Sequence, residues 1–295
     1  MSETGLVVAR FRRHALVQSG DGNRYVCQFR GRRVHPVVGD QVRWHSDSGG
    51  TGTIVELLPR ASKLTRINKR GRPEIVAANL SQLVIVLAAR PAPDWFLLDR
   101  YLSAAELTGL KCLIVFNKLD LDETPPAPLG DYERLGYRVY LTSARAGTGL
   151  DALTTAMNGE RSVMIGQSGV GKSSLLNVLA PDANQAVRAL TEKGGHGRHT
   201  TTTAVLHRLA GGGELVDSPG VRDYAPYIDD ARNVQFGFRE FAERTARCRF
   251  DDCRHLVEPG CAIKAAVSAG EVTAARYESY KRLVALTQSL QTDRR

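Results

Sequence analysis

Gly166-Gln167-Ser168-Gly169-Val170-Gly171-Lys172-Ser173-Ser174 decides how this chain folds. It holds a complete Gly-x4-Gly-Lys-Ser pattern. The apolar run Ser162-Val163-Met164-Ile165 leads in, and Leu175-Leu176-Asn177-Val178-Leu179 leads out. A strand, a glycine-rich turn and a helix in that order make a P-loop. The glycines let successive N–H groups turn toward phosphate oxygens, and the helix N-terminus adds its positive end. Lys172 should reach the β- and γ-phosphates, and the Ser173 hydroxyl should ligate Mg²⁺. A chance match to this pattern is expected in on the order of one per cent of chains this long at ordinary residue usage.

Outward from the P-loop, apolar strand patterns alternate with helical ones. Strands are read at Leu83–Leu87, Cys112–Phe116, Tyr137–Leu141 and Ser162–Ile165, with a pair at Thr203–Leu209 and Glu214–Val216 joined at Gly211-Gly212-Gly213. Helices are read near Phe96–Leu107 and Leu150–Met157 and from the P-loop to about Leu179. Such alternation implies a mostly parallel sheet covered by helices, the α/β class.

Asn117-Lys118-Leu119-Asp120 follows the strand that ends at Phe116, at the carboxyl edge where such sheets bind ligands. It resembles the guanine-recognition motif of GTPases. The Asp120 carboxylate can accept from the N1–H and the exocyclic amine of guanine, a donor pair that adenine lacks. Thr142-Ser143-Ala144, after the next strand, resembles the loop whose backbone N–H reads guanine O6; Ser143 and Ala144 are the candidates. Asp217-Ser218-Pro219-Gly220 resembles the Asp-x-x-Gly motif. Asp217 would hold Mg²⁺ through water, and the Gly220 N–H would sense the γ-phosphate. His196-Gly197-Arg198-His199-Thr200-Thr201-Thr202-Thr203 resembles switch I, where Thr200 or Thr201 would complete the Mg²⁺ shell.

The guanine reader precedes the P-loop, the reverse of the ordinary GTPase order. This is the mark of a circularly permuted GTPase. Joining the old ends and cutting after Asp-x-x-Gly runs switch II directly into whatever follows, so γ-phosphate loss is expected to pull on the C-terminal segment. The position after Gly220, often a water-orienting Gln, holds Val221. His199 is the leading candidate to position the attacking water, with His196 second; a packing or partner-binding role for His199 is the competing reading.

Cys248-x4-Cys253-x-His255-x5-Cys261 supplies three thiolates and an imidazole within 14 residues. That set suits a closed tetrahedral Zn²⁺ site, structural because no position stays open. The odd total of five cysteines argues against a full disulfide framework, and Cys27 and Cys112 lie in apolar strand-like runs.

Residues 5–58 alternate in short runs broken by Asp21-Gly22-Asn23 and Gly49-Gly50. Five candidate strands in about 55 residues suit an OB-type barrel, with an SH3-like barrel the alternative. Residues 59–79 read as a basic connector. From about Asn233 the pattern is helical, and Val272–Leu290 carries apolar residues at helical spacing. The expected limits are 1–60 for the barrel, 61–79 for the connector, 80–226 for the permuted GTPase unit and 227–295 for a helical zinc-binding unit.

The formal charge of the chain is +9, and residues 1–75 hold 14 Arg and Lys against 6 Asp and Glu. A field so localised suits either a polyanion partner or a solvated basic face. No run approaches the roughly 20 apolar residues of a membrane span, and Met1-Ser2-Glu3-Thr4 lacks signal-peptide character. A soluble cytoplasmic protein is expected, without a long basic extension ahead of the barrel.

Taken together, the barrel, the permuted motifs with Arg198-His199-Thr200-Thr201-Thr202 and Asp217-Ser218-Pro219-Gly220-Val221, and the Cys-x4-Cys-x-His-x5-Cys segment resemble the ribosome small subunit-dependent GTPase A family over nearly the whole chain. The resemblance implies a bacterial factor acting late in assembly of the small ribosomal subunit. It implies binding of the nearly mature particle with GTP, release of other assembly factors, a check of the decoding region, hydrolysis stimulated by the subunit, and weakened binding with GDP. Barrel and zinc unit would both touch ribosomal RNA. The sequence is silent on oligomeric state, and a monomer is the expectation. The alternatives are a permuted GTPase of the large subunit, a P-loop ATPase or kinase, and an RNA chaperone holding nucleotide without catalysis.

Overall fold

The first five strands close a barrel around Trp44. They are β1 (Glu3–Arg10), β2 (His14–Ser19), β3 (Arg24–Phe29), β4 (Gln41–Ser46) and β5 (Thr51–Leu57) in a computed structural model. The model describes residues 2–29, 34–47, 49–68, 72–121, 124–181, 204–217 and 227–292. Alternating residues of each strand turn inward, as the period of two requires, so Val7, Val17, Cys27, Val42 and Ile54 surround the fully buried indole. The strand order is β1-β2-β3-β5-β4, β3 and β5 run parallel, and β4 returns to pair with β1. This closed Greek-key order favours the OB-like barrel over the SH3-like one. The β2–β3 turn is fixed by Asp21, whose carboxylate accepts from the Asn23 amide at 3.0 Å.

The stretch read as a basic connector is a β-hairpin, β6 (Lys63–Ile67) with β7 (Pro73–Ala78). Its apolar face, Leu64 and Ala77, joins the core beneath the large sheet. A register shift between Leu64 and Thr65 breaks the alternation that would mark the first strand, and two of the basic residues serve structure. Arg60 makes a two-pronged ion pair with the fully buried Asp40 (2.6 and 2.7 Å), and Arg66 pairs with Glu74 across the hairpin.

The second sheet has the order β10-β9-β8-β11-β13-β12. Its strands are β8 (Gln82–Ala88), β9 (Lys111–Asn117), β10 (Arg138–Leu141), β11 (Arg161–Ile165), β12 (Ala204–Arg208) and β13 (Glu214–Asp217). All pairs among these strands are parallel except the antiparallel β12–β13. β8 is buried along its whole length, as a central parallel strand covered on both faces must be. The helices are α1 (Trp95–Thr108), α2 (Leu129–Arg134), α3 (Leu150–Met157) and α4 (Lys172–Leu179). Barrel and sheet are continuous: the end of β1 pairs with β12 through Ala9↔Val205 and Arg10↔Ala204.

Two 3-10 helices (Ala231–Gly237 and Arg239–Phe241) lead into α5 (Ala242–Thr245), α6 (Ala262–Ser268) and α7 (Ala274–Thr292). These share a core of their own around Val234, Phe238, Phe241, Ile263, Tyr280 and Leu283. A buried charge cluster joins it to the sheet. Arg276 of α7 grips both oxygens of Glu240 at 2.7 and 3.0 Å and reaches Asp99 of α1 at 2.5 Å, while the Tyr132 hydroxyl donates to the same Asp99 oxygen at 2.7 Å. Burial pushes the Asp99 carboxyl above its ordinary range against the pull of Arg276. Removing the guanidinium strands two carboxylates without a cation. Arg276→Ala is therefore expected to cost about 3–5 kcal/mol, read as a lowered midpoint in chemical unfolding. A midpoint equal to the parent protein's would contradict that role. Among the described residues, no helix is long and apolar enough to cross a membrane.

Candidate nucleotide site and metal centre

Residues from the two separated motifs meet at the carboxyl ends of β8, β9 and β11. The P-loop leaves β11 at Gly166, whose φ of +139° carries the chain over β8; a Cβ there would lie 2.1 Å from the Val86 carbonyl oxygen. At the other end, Gly171 (φ +98°) caps α4, and a Cβ would meet the Asn117 amide nitrogen at 2.3 Å. These two positions admit only glycine, one for a turn and the other for close approach.

That approach is what joins the motifs. Asn117, buried at the end of β9, donates from Nδ2 to the Val170 carbonyl of the P-loop at 3.1 Å. Its Oδ1 accepts from the Thr142 hydroxyl at 3.2 Å and from the Ala144 N–H at 3.1 Å. The side chain thus bolts the P-loop, the Asn-Lys-Leu-Asp turn and the Thr142-Ser143-Ala144 loop into one unit. The Ala144 N–H, expected to face guanine O6, is engaged by Asn117 here.

Lys118 adopts φ +69° and donates from Nζ to the carbonyls of Arg90 and Gly169, so its stem lies along the P-loop. Leu119 is held by its N–H to the Thr142 carbonyl at 3.2 Å, which presents Asp120 outward. The Asp120 carboxylate accepts from the Ser143 hydroxyl at 2.5 Å, and the Ser143 oxygen accepts from the Ala146 N–H at 3.0 Å. Ser143 therefore orients the exposed carboxylate rather than facing outward itself.

Lys172 curls back over the loop and donates to the carbonyls of Gly166 and Gln167, each at 2.7 Å. The Gln167 side chain is occupied elsewhere: its Oε1 accepts from the N–H of Asp94, the N-cap of α1, at 3.0 Å. Nothing in the local sequence marks this brace. Ser173 and Asp217, 44 positions apart in sequence, line a single small cavity with Lys172 between the ends of β11 and β13. A hydroxyl and a carboxylate beside a phosphate loop are the oxygen donors Mg²⁺ takes. His196, His199, Thr200, Thr201 and Gly220 lie outside the described residues.

The four predicted zinc ligands converge. Their ligand atoms all lie within 4.8 Å of one another, and Cys253, His255 and Cys261 are buried. His255 Nδ1 sits 3.5 Å from Cys248 Sγ and 3.4 Å from Cys261 Sγ. A tetrahedral ion with ordinary Zn–S and Zn–N bonds separates sulfur from nitrogen by about 3.5 Å, so the set fits a structural zinc. Burial holds the His255 imidazole below its usual range and hence neutral, with a lone pair to offer. Burial also pushes the Cys253 thiol up to about 12; a divalent cation supplies the charge that draws that proton off. Cys261 doubles as the N-cap of α6, its sulfur accepting from the Lys264 N–H.

A parallel sheet whose P-loop follows the Asn-Lys-Leu-Asp turn in sequence but adjoins it in space defines a circularly permuted P-loop GTPase. The model of the RsgA GTPase family matches residues 57–226. The small ribosomal subunit biogenesis GTPase RsgA of Azotobacter vinelandii is 44% identical over 292 residues, covering 96% of this chain and 85% of that one. The protein of the same description from Pseudomonas aeruginosa is 44% identical over 288 residues, covering 96% and 85%. The crystal structure of YjeQ from Thermotoga maritima superposes with a TM-score of 0.77 at 31% identity, covering 98% of this chain and 99% of that one. YloQ, described as a circularly permuted GTPase, gives 0.75 at 27%, covering 98% and 96%. The chain belongs to the RsgA GTPase family, enzymes that hydrolyse GTP.

Proposed function

We propose that this protein is a cytoplasmic, monomeric GTPase of late small-subunit maturation, hydrolysing GTP to GDP and phosphate when the small ribosomal subunit stimulates it. One observation carries the reading: the nucleotide site is continuous with a basic barrel through the β1–β12 pairing. β12 begins directly after the threonine-rich segment read as switch I. A polyanion on the barrel would therefore press on the strand that anchors that switch. Arg12 and Arg13 are exposed in the β1–β2 turn, one of the loops by which OB-type barrels grip oligonucleotides. The names of the relatives point to the small subunit rather than the large one; action beside other assembly factors is part of the same proposal.

In this reading, Asp120 chooses guanine and the P-loop amides with Lys172 hold the phosphates. Ser173, Asp217 and Thr200 or Thr201 hold Mg²⁺, Gly220 senses the γ-phosphate, and His199 positions the water. Phosphate release measured with small subunits, large subunits or neither tests it. Stimulation by small subunits alone is expected; equal rates in all three, or stimulation by large subunits, would overturn it. His199→Ala is expected to leave GTP affinity within about threefold and to lower stimulated turnover by roughly 10²–10⁴. Unchanged turnover would assign His199 to packing or partner binding.

A further inference from the structure

His255 presents two ring nitrogens, and the structure gives them different partners. Nδ1 faces the sulfurs of Cys248 and Cys261 at 3.5 and 3.4 Å. Nε2 lies 2.9 Å from Oε1 of Gln235, twenty residues earlier in the first 3-10 helix. The amide of Gln235 is itself oriented, because its Nε2 donates to the Arg232 carbonyl at 3.1 Å. That bond turns the oxygen toward the ring. The oxygen can only accept, so the ring nitrogen facing it must carry the proton. The residue is held at two further points: its backbone carbonyl accepts from the Tyr277 hydroxyl at 2.6 Å, and Phe241 meets the imidazole edge-on at 5.8 Å.

We propose that Gln235 is the positioning residue of the metal centre: it fixes the His255 proton on Nε2, which leaves Nδ1 as the ligand atom. This rests on the zinc reading of the cluster. It adds a mechanical consequence. The 3-10 helix Ala231–Gly237 packs against α1 and α7. Through Gln235 the metal therefore also holds the 3-10 helix that lies between those two helices' faces and its own ligands. Partners in this outer position set the tautomer and basicity of a ligating histidine, and their loss typically costs 10- to 100-fold in metal affinity.

The test compares the full chain with Gln235→Leu and Gln235→Glu. Zinc affinity is measured by competition with a chromogenic chelator, and GDP affinity serves as the folding control. Gln235→Leu, which removes the acceptor, is expected to bind zinc about 10- to 100-fold more weakly. Gln235→Glu restores an acceptor and should stay within about threefold of the parent on the same reasoning. GDP affinity should be unchanged in both. In the zinc-loaded parent, ¹⁵N NMR of the imidazole should show the proton on Nε2 and the metal on Nδ1, a readout independent of any variant. Zinc binding by Gln235→Leu equal to the parent's, or a ring ligated through Nε2, overturns the proposal. A parent chain that takes up no zinc removes the site itself, a separate failure.

Discussion

Asp120→Asn is expected to lower GTP affinity by roughly 10²–10⁴-fold, because one hydrogen bond to a charged acceptor, contributing about 1.5–3 kcal/mol, gives way to donor–donor opposition and the other loses its charge assistance. The Ser143 hydroxyl fixes the carboxylate, and the Leu119 N–H ties the turn to the Thr142 carbonyl, so the side chain cannot swing to find a substitute. In the variant, one carboxylate oxygen becomes an NH₂ group and opposes the exocyclic amine of guanine. The same change suits xanthine, which carries an oxygen at that position. The nucleotide preference should therefore invert toward xanthosine triphosphate. Competition binding checks both directions at once. A variant that still prefers GTP would place the base somewhere other than Asp120.

The second large effect concerns the metal. Structural zinc sites contribute apparent binding energies of about 10–16 kcal/mol at neutral pH, more than the whole stability of most domains. The C-terminal core is small and includes Cys253 and Cys261 as packing residues. Chelation, or Cys261→Ala, is expected to remove cooperative folding of residues 227–292 at 25 °C. Far-UV circular dichroism should lose the helical signal of α6 and α7, and Cys253 should become reactive to a thiol reagent. GDP binding should persist, because the P-loop helix packs in a different core with Leu153, Met157 and Leu209. Unchanged dichroism and a protected thiol after chelation would mean the segment folds without metal.

Much of the site was legible in the sequence because its chemistry fixes residue types at fixed intervals. Gly166, Gly171 and Lys172 are demanded by phosphate, and Cys248, Cys253, His255 and Cys261 by a tetrahedral cation. Each works through neighbours close in sequence or through a motif with its own spacing. What stayed hidden depends on residues that meet only in the folded chain. Asn117 reads as a base contact, yet its amide is spent on Val170, Thr142 and Ala144. Gln167 reads as part of the phosphate cradle, yet its side chain holds Asp94. Arg276, Asp99 and Glu240 sit in three unrelated segments, and nothing local marks them as a buried cluster. The barrel's strands were visible from alternation, but only the pairings β3–β5 and β1–β4 separate one small barrel from another. The α2 helix is six residues long and follows Pro125, Pro126 and Pro128, so its turn signals outweigh its periodicity.

With nucleotide bound, two motifs written in reversed order should close around one molecule of GTP. A crystal structure of the protein with a non-hydrolysable GTP analogue and Mg²⁺ tests it most directly. The Asp120 carboxylate is expected at hydrogen-bond distance, about 2.7–3.0 Å, from N1 and the exocyclic amine of the same nucleotide whose β- and γ-phosphates Lys172 holds. A purine bound away from Asp120 while its phosphates occupy the P-loop would contradict it.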